Sequence, residues 1–388
     1  MKILSVVGAR PNFMKIAPFI RAITEHNQNG GEKIDHILVH TGQHYDDKMS
    51  QAFFKALDIP DADINLGVGS GTHAEQVGRT MIEFEKVVRQ EQPDWVVVVG
   101  DVNATCACSI TAKKEHVKCA HIEAGLRSRD MTMPEEINRL VTDRLSDLLL
   151  TPDRLSDANL RQEGVPEDRI KFVGNIMIDT LESQRSKAEK LDPCVIIQDS
   201  LLPGQELLDT EQEQALLENR IAVMTMHRPS NVDEQDVLTA IIDFLMNEVA
   251  ADMPLIWPVH PRAMNQMKKF GLWDKALACK NFLLMHPLGY HDLLRLNMSA
   301  RIMLTDSGGL QEESCVLGTP CLTLRWNTER PVTLREHGGA SVLVGNNVEK
   351  IRKEYRETLT MDRRPTRPEL WDGKTAQRIV AAIVGIGG

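Results

Sequence analysis

Nothing in this 388-residue chain approaches the ~20 consecutive apolar residues that a membrane-spanning helix needs. The run Trp95 to Val99 is typical of its apolar stretches. A dinucleotide fingerprint is also missing, because Gly67, Gly69 and Gly71 have the wrong spacing for G-x-G-x-x-G. No G-x-x-x-x-G-K-[ST] string occurs. These two absences argue against a nicotinamide cofactor and against a P-loop nucleotidase. Basic residues are in deficit, with 45 Lys and Arg against 55 Asp and Glu and a net charge of −10. Bulk electrostatics therefore do not favour nucleic acid, although a local Arg cluster can still hold a small diphosphate. The seven cysteines are odd in number and scattered. Only Cys106 and Cys108 are close, and C-x-C alone is not a zinc pattern, so they read as reduced core thiols.

What is present fits two α/β domains. The chain is too long for one ordinary domain, and its 42% hydrophobic and 26% charged residues are a soluble globular balance. The N-terminal run Ile3–Val7 is too short for a signal peptide and reads as a first strand. Strand-like runs follow at Ile37–His40, Trp95–Val99, Cys119–Ile122, Leu148–Leu150 and Ile170–Val173. Helical patterns such as Met14–His26, Ala74–Arg89 and Glu135–Leu145 separate them. This alternation predicts a parallel sheet covered on both faces. Thr72 and Glu75 have the spacing of a capping box. A polar stretch from Ser200 to Asn219 interrupts the series. It restarts at Ile221–Met226, Leu255–Val259, Phe282–Met285, Ile302–Leu304, Cys321–Leu324 and Val342–Val344. Two such series predict two Rossmann-like, doubly wound domains.

Ligands of such sheets bind beyond the carboxyl ends of the strands. There the sequence is rich in Arg, His, Asp, Glu and Gly. Asp306-Ser307-Gly308-Gly309 lies between a strand and a helix, where free N–H groups attract phosphate and glycines allow close approach. Glu313, one turn further, can accept two hydroxyl bonds from a ribose; a surface Glu beyond an ordinary helix cap has the same spacing. Arg10 and Lys15 follow the first strand and suit a diphosphate, or are solvated charges at a helix start. Asp101 ends the strongest strand and Glu123 the next. A Glu in an apolar strand end needs a partner, and Arg127 offers a structural ion pair. Glu135 and Arg139 are i,i+4 on a helix that starts with Pro134, which a surface pair also explains. His227 and His260 stand at two strand ends of the second series. Their spacing does not suit metal binding.

Taken in order, these strings resemble the non-hydrolysing UDP-N-acetylglucosamine 2-epimerases from Gly8 to about Gly345. The matching strings are GARPNFMKIAP at 8–18, GQH at 42–44, GD at 100–101, HIEAGLRS at 121–128 and PEEINR at 134–139. They continue with GN at 174–175, HRPSN at 227–231, PVHP at 258–261, TDSGGLQEE at 305–313 and TERP at 328–331. The resemblance implies two Rossmann-like domains in a GT-B-type arrangement, with the active site in the inter-domain cleft and the last helix returning to the first domain. The implied division is 1–175 plus about 366–388 for the acid-bearing domain and 176–365 for the UDP-binding one. It further implies a cytoplasmic homodimer that needs no cofactor or metal, while the net charge and the short apolar runs predict neither a nucleic-acid nor a membrane partner.

Carried over by position, Ser307, Gly308 and Gly309 hold the diphosphate beside Arg10, and Glu313 holds the ribose. Lys15, Asp101, Glu123, Glu135, Arg139 and His227 match catalytic positions, and Gln43 and His44 match part of an allosteric substrate site. Tyr45-Asp46 departs from the Arg-Glu found there in allosteric members. The implied reaction interconverts UDP-GlcNAc and UDP-ManNAc by eliminating UDP to a 2-acetamidoglucal and adding it back with inversion at C2. Rival readings are a 2-epimerase of another UDP-sugar such as a diacetamido uronic acid, a hydrolysing epimerase, a GT-B glycosyltransferase and a non-catalytic sugar-nucleotide sensor.

Overall fold

Strand β4 (Trp95–Val99) is buried at every residue, as a strand covered on both faces must be. It is central to the first of two parallel sheets in the computed structural model, which describes residues 1–42 and 61–387. The other strands are β1 (Lys2–Val7), β2 (Asp35–His40), β3 (Ile64–Asn65), β5 (Lys118–Ile122), β6 (Leu148–Thr151) and β7 (Ile170–Phe172). Their order is β3-β2-β1-β4-β5-β6-β7, every pair parallel. The second sheet holds β8 (Ala222–Thr225), β9 (Leu255–Pro258), β10 (Phe282–Met285), β11 (Ile302–Thr305), β12 (Cys321–Thr323) and β13 (Ser341–Leu343). Its order is β10-β9-β8-β11-β12-β13, again parallel throughout. Both orders reverse direction once, between β1 and β4 and between β8 and β11. Such reversals open a crevice beyond the carboxyl ends of the two strands.

The chain divides into two compact units, Met1–Ser183 with Pro368–Gly388, and Gln184–Arg367. The division falls inside the helix Ile176–Ala188. The helices that carry the strand-end groups are α1 (Arg10–Gln28), α2 (Asn103–Lys114), α3 (Pro134–Leu145), α4 (Gly308–Leu317) and α5 (Thr375–Gly387). Helix α5 packs on α1 in the first unit. Asp179 fixes its start by accepting N–H bonds from Thr375 at 3.1 Å and Ala376 at 2.7 Å. Trp371, also buried, donates its indole N–H to Pro152 O at 2.9 Å.

The first core joins Leu4, Val6, Val39 and Val96 to Phe84 and Cys108. In the second, Trp257 stacks on Phe282 with ring centroids 5.9 Å apart. All seven cysteines are free thiols; Cys194 and Cys279 are half-buried and the others buried. The capping box forms, with Thr72 Oγ1 accepting from Glu75 N and Glu75 Oε2 from Thr72 N. The polar stretch before β8 is not wholly irregular, because Asp209 caps a helix at Thr210–Leu217. Among the described residues no helix is long and apolar enough to cross a membrane.

Candidate active site

In the first unit the crevice between β1 and β4 is built around a buried ion pair. Lys15, in the second turn of α1, meets Glu123 Oε2, and both side chains are buried. Asn12 ties the turn after β1 to the end of β4. Its Oδ1 accepts from Ala9 N at 3.1 Å, and its Nδ2 donates to Val99 O at 2.8 Å. Gly100 has φ +70°, and a Cβ there would come within 3.3 Å of both Asn12 Nδ2 and Lys15 Nζ. Any side chain at this position would crowd the Lys15–Glu123 pair.

Glu123 itself has φ +72°, a conformation that costs a non-glycine residue about 1 kcal/mol. Its N–H and that of Ala124 both donate to Leu150 O, which holds the bend. The strain turns the carboxylate into the crevice, where such outliers concentrate. The second oxygen, Glu123 Oε1, is buried with no hydrogen-bond partner among the described residues. A buried acceptor left bare is costly unless a ligand supplies the donor.

Beside this pair, Asp101 Oδ2 accepts from Arg139 Nε at 3.1 Å and lies 3.0 Å from Nη2. Arg139 also pairs with Glu136, and both are buried. Asn138 Nδ2 donates to Asp101 O at 2.8 Å. Behind them His121 Nε2 donates to Gly100 O at 2.8 Å, and its Nδ1 is 2.6 Å from Asp143 Oδ1. Asp143 Oδ2 also accepts from Arg127 Nη1 at 2.7 Å. Burial works against this carboxylate's charge, but His121 and Arg127 together hold it below the ordinary range.

Two sequence readings are corrected here. Glu123 pairs with Lys15 rather than Arg127, whose guanidinium is taken by Asp143 and Glu163. Arg139 is not half of a surface pair with Glu135. Its partners are Asp101 and Glu136, because residues 136, 139 and 143 form the buried face of α3. Glu135 is half-exposed and makes no side-chain hydrogen bond or ion pair among the described residues.

The crevice of the second unit lies between β8 and β11. Asp306, at the end of β11, is fully buried. Its Oδ2 accepts the backbone N–H of His227 at 2.9 Å and of Arg228 at 2.8 Å. Its Oδ1 lies 2.8 Å from His227 Nδ1. Burial opposes the Asp306 charge, and these His227 and Arg228 contacts hold the carboxyl below its usual range. Because Nδ1 faces the carboxylate, His227 can present Nε2 outward on a half-exposed ring.

Ser307 precedes α4 and its side chain makes no capping bond. The first-turn N–H groups of α4 are therefore available to an anion. Gly308 is required for a different reason than its neighbour: a Cβ there would meet Arg330 Nη1 at 2.7 Å, whereas Gly309 faces open space. Arg330 Nε donates to Glu312 Oε1 at 2.6 Å.

One turn into α4, Glu313 is buried rather than on the surface. Burial pushes its carboxyl up to about 8, with Glu312 adding to the shift and Tyr290 opposing it. The His260 ring lies beside His227, centroids 5.6 Å apart. Arg10 is the first residue of α1, and Gln43 and His44 lie outside the described residues. Among the described residues no three His, Cys, Asp or Glu come together as metal ligands.

The sequence profile of the UDP-N-acetylglucosamine 2-epimerase family matches residues 26–384. A UDP-N-acetylglucosamine 2-epimerase of Methanocaldococcus jannaschii is 39% identical over 99% of each chain. The chain belongs to the UDP-N-acetylglucosamine 2-epimerase family. It is likewise 37% identical, over 92% of each chain, to a UDP-2,3-diacetamido-2,3-dideoxy-D-glucuronate 2-epimerase of Pseudomonas aeruginosa. The crystal structure of the M. jannaschii enzyme in complex with UDP-GlcNAc and UDP is similar with a TM-score of 0.85, covering 99% of this chain and 100% of that one. A Neisseria meningitidis UDP-GlcNAc 2-epimerase bound to UDP-GlcNAc is 27% identical with a TM-score of 0.82, covering 99% of this chain and 100% of that one.

In this member of the epimerase family the sequence reading missed Asn12, Glu136, Asp143 and the supporting role of Asp306. Glu136, Arg139 and Asp143 recur at i, i+3 and i+7, the period of one helix face. That polar face was a legible signal of a charged group turned inward.

Proposed function

We propose that this chain is a non-hydrolysing UDP-GlcNAc 2-epimerase that interconverts UDP-GlcNAc and UDP-ManNAc by elimination and re-addition. The observation that carries the reading is the Glu123 carboxylate: strained, buried, paired to Lys15 through one oxygen and bare at the other. It is supported by the family membership and by the M. jannaschii relative, similar along the whole chain.

The sugar's C2 hydrogen has no adjacent carbonyl, so enolisation is closed to it. In the elimination a carboxylate takes the C2 proton, a C1=C2 double bond forms, and UDP leaves C1 with the bonding pair. Glu123, Asp101 and Glu135 are the proposed acid and base groups on the two faces of the sugar. Lys15 pairs with Glu123, and Arg139 with Asp101, which fixes where each carboxylate stands. The leaving diphosphate needs fixed donors. Arg10, His227, the Ser307 hydroxyl and the Gly308 and Gly309 N–H groups are assigned that task, with Glu313 on the ribose.

Return of UDP to C1 and protonation of C2 from the other side give the epimer. We include in the proposal a homodimer working in the cytoplasm.

A second reading is supported by the P. aeruginosa relative: the same chemistry on a UDP-linked diacetamido uronic acid. NMR of the purified protein with UDP-GlcNAc in heavy water tests the first reading. The expected result is UDP-ManNAc carrying deuterium at C2 and no accumulation of free UDP. Release of UDP with free N-acetylmannosamine would instead identify a hydrolysing enzyme. No turnover of UDP-GlcNAc, with turnover of the diacetamido uronate, would identify the second substrate.

A further inference from the structure

Trp326 is left 63% exposed, although Trp95, Trp257 and Trp371 are fully buried. It follows β12 on the carboxyl-end side of the second sheet, one strand from β11 and the Ser307 turn. Its mount is fixed. Arg325 N donates to Thr323 O at 2.8 Å, and Gly345 N donates to Arg325 O at 3.0 Å. The indole lies against Gly345, where a Cβ would come within 2.7 Å of the ring. On the other side a buried ladder runs from Arg325 to Glu329, Arg330 and Glu312, so the loop is tied to α4. An aromatic ring thus stands exposed on a loop tied to α4, and such amphipathic aromatic side chains are enriched at interfaces.

Topology says which part of a ligand reaches it. Glu313 faces Tyr290, whose helix Tyr290–Ser299 joins β10 to β11. Strand β12 lies on the opposite side of β11. A nucleotide sugar is a linear series of nucleoside, diphosphate and sugar. With the ribose at Glu313 and the diphosphate at the Ser307–Gly309 turn, a ligand extended along that line would bring its remaining part to the β12 rim.

We infer that Trp326 is a specificity-determining platform for the sugar of the UDP-sugar, packing against its C–H face or acetamido methyl. The inference rests on the proposed placement of the nucleotide in the second unit.

The test uses the full chain, Trp326→Phe and Trp326→Ala, with UDP-GlcNAc and UDP as separate probes. In the wild type UDP-GlcNAc should change the tryptophan fluorescence more than UDP does, and Trp326→Phe should abolish the difference. Trp326→Ala should raise KM for UDP-GlcNAc about tenfold, the weight of one lost aromatic contact, while the inhibition constant for UDP stays within about twofold. Equal weakening of both ligands, or an unchanged KM, would overturn the inference while leaving the nucleotide site intact. If the wild type binds neither UDP nor UDP-GlcNAc by calorimetry, the underlying site assignment fails with it.

Discussion

Asp306 Oδ1 lies 2.8 Å from His227 Nδ1, and the other oxygen of the same carboxylate accepts the His227 backbone N–H at 2.9 Å. One buried acid therefore sets both the ring orientation and the loop that bears it. The close approach of Nδ1 to this carboxylate leaves Nε2 for the ligand. Asp306→Asn should lower kcat on the order of 10- to 100-fold, the range for loss of an orienting partner. His227→Asn, by removing the ring, should lower it at least as much. Steady-state kinetics of both variants check this, and a faster Asp306→Asn enzyme would contradict it.

Glu123→Gln keeps the size of the side chain but removes its basicity. Turnover should fall by about 10²–10⁴, the usual weight of a general base. UDP affinity, measured by calorimetry, should stay within a few-fold because the assigned diphosphate donors lie elsewhere in the sequence. Near-normal turnover would remove Glu123 from the catalytic set.

The fold was legible because alternating apolar strands and amphipathic helices are local signals. Even β12, only three residues long, was bounded correctly to within a residue or two. Pairing among charged groups was less legible, because it depends on contacts across many residues. Lys15 and Glu123 are 108 positions apart, and nothing near either one names the other. Arg127 looked like the partner of Glu123 because it was close in sequence, but the left-handed bend at Glu123 turns the acid away toward α1. Glu135 and Glu136 are adjacent and chemically alike, and only the buried face of α3 separates them. Trp326 carried no signal, since exposure is a property of the folded loop.

Glu313 offers a pH test of the ribose assignment. In the free protein burial raises its carboxyl to about 8, so it holds a proton at neutral pH. A ribose diol donates hydrogen bonds and favours the charged carboxylate, so binding should release that proton. UDP-GlcNAc binding to the Glu123→Gln variant should tighten about tenfold per pH unit from pH 6 toward 8, then level off. Adding Glu313→Gln should flatten this profile. Titrations in buffers of different ionisation enthalpy count the released proton directly. A profile unchanged by Glu313→Gln would separate Glu313 from the ligand.

His36, on β2, gives a stability prediction independent of catalysis. It is half-buried, its Nε2 is 2.7 Å from Ser5 Oγ, and burial lowers it from 6.5 to about 4 against the pull of Asp63 and Asp35. The native state therefore keeps the ring neutral, while the unfolded chain takes up a proton below about 6.5. A group of this kind stabilises the fold fully above that pH, and the contribution fades as pH falls toward 4. From pH 7 to pH 5 the loss should be about 2 kcal/mol. His36→Gln can keep a hydrogen bond to Ser5 but does not titrate. Urea unfolding at both pH values should show a smaller drop for the variant than for the wild type, by about that amount, because the carboxylates common to both cancel. Equal drops would mean that the ring takes up its proton in the folded state as readily as in the unfolded one.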